Sequence, residues 1–305
     1  MRVFVTGATG FIGTAVCTDL LAAGHRVLGL ARSEVGAKSL TSRGVEVHRG
    51  SLEDLKSLES GAAACDAVIH TAFNHDFSKL AENCEAERRA IEALTSALIG
   101  SHRPLVISSG TGLVAPGRLA TEDDRHTPGP NSFPRVKTEI AAVAAAERGL
   151  HVIIIRLPQV HDRNKFGLVS YLIALAQQKG VSAYVGDGKN RWPAGHLLDV
   201  APLYRLALEK GRARAHYHAV GEEGVAARDF AEIIGRKLNI PVVSISPEQA
   251  PEHFGWLSAF TSLDLPASSA KTQQELGWRP THGGILPDLE NAHVFENAQA
   301  APARI

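Results

Sequence analysis

VFVTGATGFIG, from Val3 to Gly13, joins a β-branched run to an apolar helical pattern through three glycines, Gly7, Gly10 and Gly13. Each glycine has a physical task there. Gly7 permits a tight turn, Gly10 lets the backbone approach a pyrophosphate, and Gly13 lets the helix pack closely while its N-terminus faces the anion. Thr6, Thr9, Phe11 and Ile12 complete the loop. The two-residue gaps differ from the commonest dinucleotide fingerprint, and an ordinary glycine-rich turn is the plain alternative. The place of the trio, at the first strand–helix junction of a repeating pattern, favours a phosphate-bearing cofactor.

Working outward, short apolar runs alternate with longer amphipathic stretches. RVFVTG, HRVLGLA, VEVHRG, DAVIHTA, PLVISSG and HVIIIRLP read as strands, several of them apolar on both faces as strands of a buried parallel sheet must be. Helical patterns fall at about 11–23, 34–43, 52–60, 79–99 and 132–149. This alternation predicts an α/β fold, a doubly wound parallel sheet with right-handed crossovers. Residues 1–160 are expected to form a dinucleotide-binding domain, with later strands returning to it from about 190–220. Residues 161–305 are expected to be mainly a smaller substrate lobe and a C-terminal tail.

Composition excludes several classes. A chain of 305 residues with 44% hydrophobic side chains can bury a sizeable core. Lys plus Arg and Asp plus Glu each number 32, so no excess positive charge points to nucleic acid. The three cysteines, Cys17, Cys65 and Cys84, form no CxxC pair, which suits a reducing, cytoplasmic location. No signal-like start and no run of about eighteen apolar residues is present, so no membrane partner is expected.

The second strand speaks to the kind of dinucleotide. An acidic residue near its end would hold the ribose hydroxyls of NAD, but LGLARSE places Arg32 and Ser33 at the tip. A charge-assisted contact contributes about 1.5–3 kcal/mol, roughly ten- to a hundredfold in affinity. NADP(H) is therefore expected over NAD(H), unless the strand runs on and Glu34 takes the acidic role.

Taken in order, TGATGFIG, DAVIHTAF, LVISSGTG, FPRVK, IIIRLPQVH and AGHLLDVAPLYRLALE resemble the short-chain dehydrogenase/reductase superfamily, in its extended and atypical branch, often labelled NAD-dependent epimerase/dehydratase. The resemblance spans roughly residues 2–285 and implies a Rossmann fold. It implies that Thr6 to Gly13 hold the pyrophosphate, that Thr71, Ala72 and Phe73 line the cofactor, and that Pro158 and Val160 meet the nicotinamide amide. Where relatives often contact adenine through an Asp, this chain has Ser51, followed by Leu52. Lys137 matches the lysine that holds the nicotinamide ribose, but Phe133 stands at the position of the catalytic tyrosine. The upstream hydroxyl falls on Thr111 or, second, Ser109, and the supporting Asn on Asn83 or Glu87. Relatives often dimerise through helices like those at 79–99 and 132–149, which implies a homodimer.

NSFPRVKTEIAA, Asn131 to Ala142, sets Phe133 and Lys137 at a spacing that shares a helix face, and Phe133 can give no proton. Three replacements stand open: a relay of His75 with Asp76, His161 after the nicotinamide loop, or water beside the Lys137 ammonium. His216 and His218 have ligand-like spacing on one strand but lack a convincing third partner, so no metal is expected. Arg191 and Trp192 could grip a substrate or cap the cleft, and His253, Phe254 and Trp256 could form a lid or an oligomer contact. The expected activity is NADPH-dependent reduction of a small carbonyl compound. A sugar-nucleotide-type epimerase or dehydratase, and a non-catalytic NADP-binding sensor, are the alternatives.

Overall fold

The computed structural model describes residues 1–126, 129 and 133–299. Seven strands form the main sheet: β1 (Arg2–Thr6), β2 (Arg26–Ala31), β3 (Glu46–Arg49), β4 (Ala67–His70), β5 (Leu105–Gly110), β6 (Val152–Leu157) and, returning late, β10 (His216–His218). Between the first six run α1 (Phe11–Ala22), α2 (Glu34–Thr41), α3 (Leu55–Ala63), α4 (Leu80–Leu98) and α5 (Val136–Glu147). All pairings in this sheet are parallel, and the order is β10-β6-β5-β4-β1-β2-β3.

Strand periodicity explains the two layers. Successive side chains point to opposite faces, so Val3 and Val5 join α1 in one core while Phe4 joins Leu58, Ile91 and Ala142 in the other. Each fully buried side chain of this size contributes roughly 1.5–3 kcal/mol. Packing on the second face is close: a Cβ added at Gly61 of α3 would lie 2.4 Å from the Phe4 ring. A larger residue at position 61 would push α3 off the sheet.

The later chain builds the smaller lobe. It holds β7 (Gln159–His161), α6 (Val169–Lys179), β8 (Ser182–Val185), β9 (Arg191–His196), β11 (Glu222–Ala226), α8 (Ala227–Leu238) and β12 (Val242–Ile245). These strands form a three-stranded sheet, β11-β9-β7, and a β12-β8 pair. Short helices α9 (Ala250–Phe254), α10 (Ser258–Thr261), α12 (Ile285–Glu290) and α13 (His293–Gln299) complete it. α7 (Leu197–Lys210) packs beside α1 under the main sheet, and α11 (Ala270–Leu276) lies against β10. The segment AHYHAV thus closes the edge of the main sheet.

The helix expected at 132–149 begins at Val136; Arg135 is its N-cap residue, and Phe133 and Pro134 form a turn before it. Asn131 and Ser132 lie outside the described residues. Proline after Phe133 cannot donate its backbone nitrogen, which suits a helix start better than a helix interior.

Candidate functional site

Chain order reverses between β1 and β4, which opens a crevice at the C-terminal ends of these strands. Gly7 has φ +70°, a left-handed conformation costly for other residues. A Cβ at Gly13 would fall 2.0 Å from the Gly7 carbonyl oxygen, so only glycine allows α1 to start this close to the turn. The Thr71 hydroxyl donates to the Thr6 carbonyl at 2.8 Å, and the Thr6 hydroxyl meets His70 Nδ1 at 2.7 Å. Both hydroxyls are thus turned inward, and the ligand-facing groups of this loop are backbone N–H donors. No side chain caps α1 and its first turn carries no acid, so those donors and the positive end of the helix dipole face outward between exposed Thr9 and Gly10 and half-buried Phe11 and Ile12. A pyrophosphate fits these groups.

At the adenosine end β2 stops at Ala31, leaving Arg32 exposed just beyond it. Ser33 caps α2 by accepting from the Gly36 amide at 3.1 Å, and a Cβ at Gly36 would lie 3.2 Å from Thr9 Cγ2. The glycine loop and the start of α2 are therefore neighbours. Glu34, the alternative acid, lies in the first turn of α2 and is paired with Arg49, whose Nη1 also donates to the Ser33 carbonyl at 3.0 Å. Arg49 was not legible as part of this corner. Ser51 is occupied locally, accepting from the Glu53 amide at 3.3 Å, and half-buried Leu52 packs toward the sheet.

The mouth after β4 departs from expectation in three places. First, His75 and Asp76 do not pair. Asp76 accepts from Ser78 N and Oγ at 3.1 and 2.5 Å, and its carbonyl takes Asn83 Nδ2 at 2.8 Å. The His75 ring sits edge-on between Phe73 and Phe77. Desolvation there, and then the Arg135 charge, lower its pKa, so the imidazole is neutral near pH 7.

Second, Ser109 is not available to a ligand: buried, it donates to Glu139 Oε2 at 2.5 Å. Burial alone would raise the Glu139 pKa, but the ring nitrogens of His126 and His216, at 3.1 and 3.3 Å, and the fully buried Arg156 guanidinium hold this carboxyl far below the usual range. Thr111, also buried, donates to the Leu157 carbonyl at 3.3 Å.

Third, Phe133 and Lys137 do not share a helix face. Phe133 precedes the helix and packs edge-on against Phe260 at 5.1 Å between centroids. Within α5, 3.6 residues per turn set Arg135 and Glu139 on one face and Lys137 about 200° from Arg135. Burial agrees: Glu139 and Ala142 are enclosed, whereas Lys137 is exposed and its side chain makes no hydrogen bond or ion pair among the described residues. Arg135 takes the inner place. Its guanidinium lies 4.1 Å from the centroid of Phe73 and its Nη2 is 3.1 Å from Oε1 of Glu87. Glu87 is 1% exposed; burial raises its pKa, opposed by the Arg135 charge and hydrogen bond. FPRVK advertised a lysine, but burial of Glu139 is what sets the phase of this helix, and sequence alone does not display it.

The smaller lobe contributes to the mouth. Val160 is buried in the core and Pro158 half-buried, so that segment could offer a nicotinamide only its backbone. His161 is 1% exposed, with Nδ1 2.9 Å from Asp288 and Nε2 buried without a partner; burial lowers its pKa. In the next turn, Asp162 accepts from the amides of Asn164 and Lys165 at 2.7 and 2.9 Å. That turn carries the Lys165 ammonium to 5.6 Å from the centroid of Phe11, above the start of α1. Exposed Trp256 stacks on Phe77 at 4.1 Å and 9°, with Tyr171 edge-on to both, so one aromatic cluster spans the two lobes. Arg191 is held by Asp264 through Nε and Nη2, and Trp192 is buried against Phe230, which leaves neither free at the crevice. Buried Phe254 belongs to the core beside α6, and His253 borders it. Among the described residues no three His, Cys, Asp or Glu side chains converge as metal ligands, and no helix is long and apolar enough to cross a membrane.

A parallel sheet that reverses order at a glycine-braced helix start defines a dinucleotide-binding protein of the Rossmann class. The chain belongs to the NAD dependent epimerase/dehydratase family, which it matches over residues 3–220. It is 48% identical over 97% of its length, and 100% of the relative's, to an uncharacterised protein of Schizosaccharomyces pombe. It is 25% identical to a 4-hydroxy-2-methyl-3-oxo-4-farnesyl-3,4-dihydroquinoline-1-oxide ketoreductase of Stigmatella aurantiaca, covering 96% of each chain. A solved UDP-glucose 4-epimerase of Thermus thermophilus, in complex with NAD, superposes with a TM-score of 0.72 at 22% identity, over 99% of this chain and 100% of that one. The protein is thus an NAD(P)-dependent oxidoreductase of the epimerase/dehydratase family.

Proposed function

We propose that the protein is an NADP(H)-preferring oxidoreductase that reduces a small carbonyl compound. The observation that carries the cofactor preference is the exposed Arg32 beyond β2, next to a Glu34 already neutralised by Arg49. A 2′-phosphate placed there meets two guanidinium groups and no free carboxylate among the described residues. The reduced nicotinamide would supply the hydride. The chain's own residues would do the rest: backbone donors of Thr9 to Gly13 hold the diphosphate, Lys165 lies above them, and Arg135 places a permanent cation beside Phe73 at the mouth.

Arg135 can stabilise negative charge developing on a carbonyl oxygen, but a guanidinium does not give up its proton in a protein, so the donor must be another group. Solvent at the open mouth remains for that step, since Phe133 has no hydroxyl, His75 is neutral and the buried Thr111 hydroxyl is donated to the Leu157 carbonyl. The ketoreductase relative supports carbonyl reduction. The family as a whole also supports an epimerase reading, which would need a base strong enough to take a hydroxyl proton; neutral His75 and Thr111 are poor candidates.

The test is direct. Dinucleotide titration followed by fluorescence should give tighter binding of NADPH than of NADH, and NADPH should be consumed with some member of a panel of aldehydes, ketones and quinones. Equal binding of the two would overturn the cofactor preference. Tight NADPH binding without turnover of any carbonyl would overturn the reductase reading in favour of a sensor.

A further inference from the structure

A second cavity lies away from the crevice, at the opposite edge of the main sheet. It has a volume of about 200 Å³ and is lined by Arg125, Arg212, Arg214, His216, Lys271 and Glu275. β10, which begins at His216, is the edge strand beside β6, so β6 and β5 separate it from the reversal point at β4 and β1. The turn before β10 supplies Arg212 and Arg214, the loop after β5 supplies Arg125, and α11 supplies Lys271 and Glu275.

Charge in this cavity is not balanced by the protein. Arg212 pairs with Glu275, and Lys271 with Asp123. The other two guanidinium groups have no carboxylate partner among the described residues. Arg125 donates to the carbonyls of Glu122 and Asp124 at 2.7 and 2.9 Å, and Arg214 to those of Ala146 and Glu147 at 3.1 and 3.2 Å, at the end of α5. Desolvation and then the Arg156 charge lower the Arg125 pKa, against the opposing charges of Asp123, Glu139 and Asp124, none of which pairs with it directly. Each of these two groups still has N–H donors to spare, since a guanidinium carries five. At the back wall stands His216, 3% exposed, its Nε2 3.3 Å from Glu139 and both ring nitrogens buried without a hydrogen bond among the described residues.

We propose that this cavity binds a tetrahedral oxyanion, either inorganic phosphate or the phosphate of a small phosphomonoester, held chiefly by Arg125 and Arg214. Guanidinium groups recognise phosphate oxygens through paired N–H donors. Arg212 and Lys271, although paired, add to the positive field.

Calorimetric titration of the full chain with inorganic phosphate, and separately with glycerol phosphate, at constant ionic strength tests this. A dissociation constant in the millimolar range or below is expected, unchanged by excess NADP+, and weakened about tenfold in R125Q and again in R214Q. Because Arg214 also holds the end of α5, thermal melting of each variant separates lost binding from lost folding; R125Q is expected to melt with the wild type. Tighter binding of glycerol phosphate would identify the phosphomonoester as the ligand, and tighter binding of phosphate the free ion. Absence of binding for both probes, competition by NADP+, or binding equal in wild type and R125Q would overturn the proposal.

Discussion

Replacing Arg135 with methionine, beside the same change at Lys137, separates two readings of one helix. Arg135→Met keeps much of the stem that lies against Phe73 but removes the guanidinium 3.1 Å from a carboxylate that is 1% exposed. Removing one partner of a buried pair costs about 3–5 kcal/mol. Arg135 is itself 19% exposed, which favours the lower end. At about 2 °C per kcal/mol for a chain of this size, R135M should melt roughly 6 °C below the wild type. Lys137 is exposed and unpaired, and K137M should stay within about 0.5 kcal/mol.

The pH dependence adds a sign. Glu87 already has a raised pKa from burial, opposed by Arg135. Without the cation it rises further. An acid whose pKa is higher folded than unfolded binds more protons in the folded state, so it contributes least penalty below about pH 4.3, its unfolded value, and destabilises increasingly as pH rises through its folded value. The deficit of R135M should therefore widen between pH 5 and pH 8 in differential scanning fluorimetry, whereas that of K137M should not. A K137M deficit equal to that of R135M, or an R135M deficit that shrinks with rising pH, would refute the assignment of Arg135 to the inner face.

Other expectations concern the dinucleotide. R32D should weaken NADPH binding about ten- to a hundredfold with little change for NADH, read as the ratio of the two dissociation constants; an unchanged ratio would remove Arg32 from the site. K165M should raise the NADPH dissociation constant severalfold and flatten its salt dependence while leaving the melting temperature in place, because the ammonium lies above α1 without packing into the core. G13A would set a Cβ 2.0 Å from the Gly7 carbonyl oxygen, so it should cost at least about 1–3 kcal/mol and abolish dinucleotide binding; a well-folded, binding-competent G13A would contradict the loop geometry. F133Y should give no large gain in rate, since the ring is packed against Phe260 ahead of the helix; a strong gain would show that a hydroxyl there reaches the substrate.

How much of this could be read without coordinates depends on whether the signal was local. The glycines after β1 impose backbone geometry on their own neighbours, so their turn was legible in the sequence, as were six strands, several of them apolar on both faces. The place of Arg32, just beyond the end of β2, was legible because a strand end can be located to within a residue or two. The mouth was not. Whether Arg135 or Lys137 faces inward depends on which side of α5 is buried, and that is set by the meeting of Glu139 with Arg156, His126 and Ser109 across the fold. Likewise, Ser109 looks like a free hydroxyl until Glu139 is placed beside it, and Asp76 looks like a partner for His75 until Ser78 claims it. Arg49 and Lys165 carried no motif at all; each reaches the crevice through a contact between distant segments.

The stack of Phe77 on Trp256 gives the molecule an optical signal of its own. Of three tryptophans, Trp192 and Trp278 are 2% exposed, while Trp256 is 40% exposed and rests on a ring from the other lobe. Any opening of the lobes by a few ångströms must unstack that indole and wet it, shifting its emission to longer wavelength while the other two stay silent. Spectroscopy on the unlabelled chain can therefore report whether the two lobes part when a ligand binds.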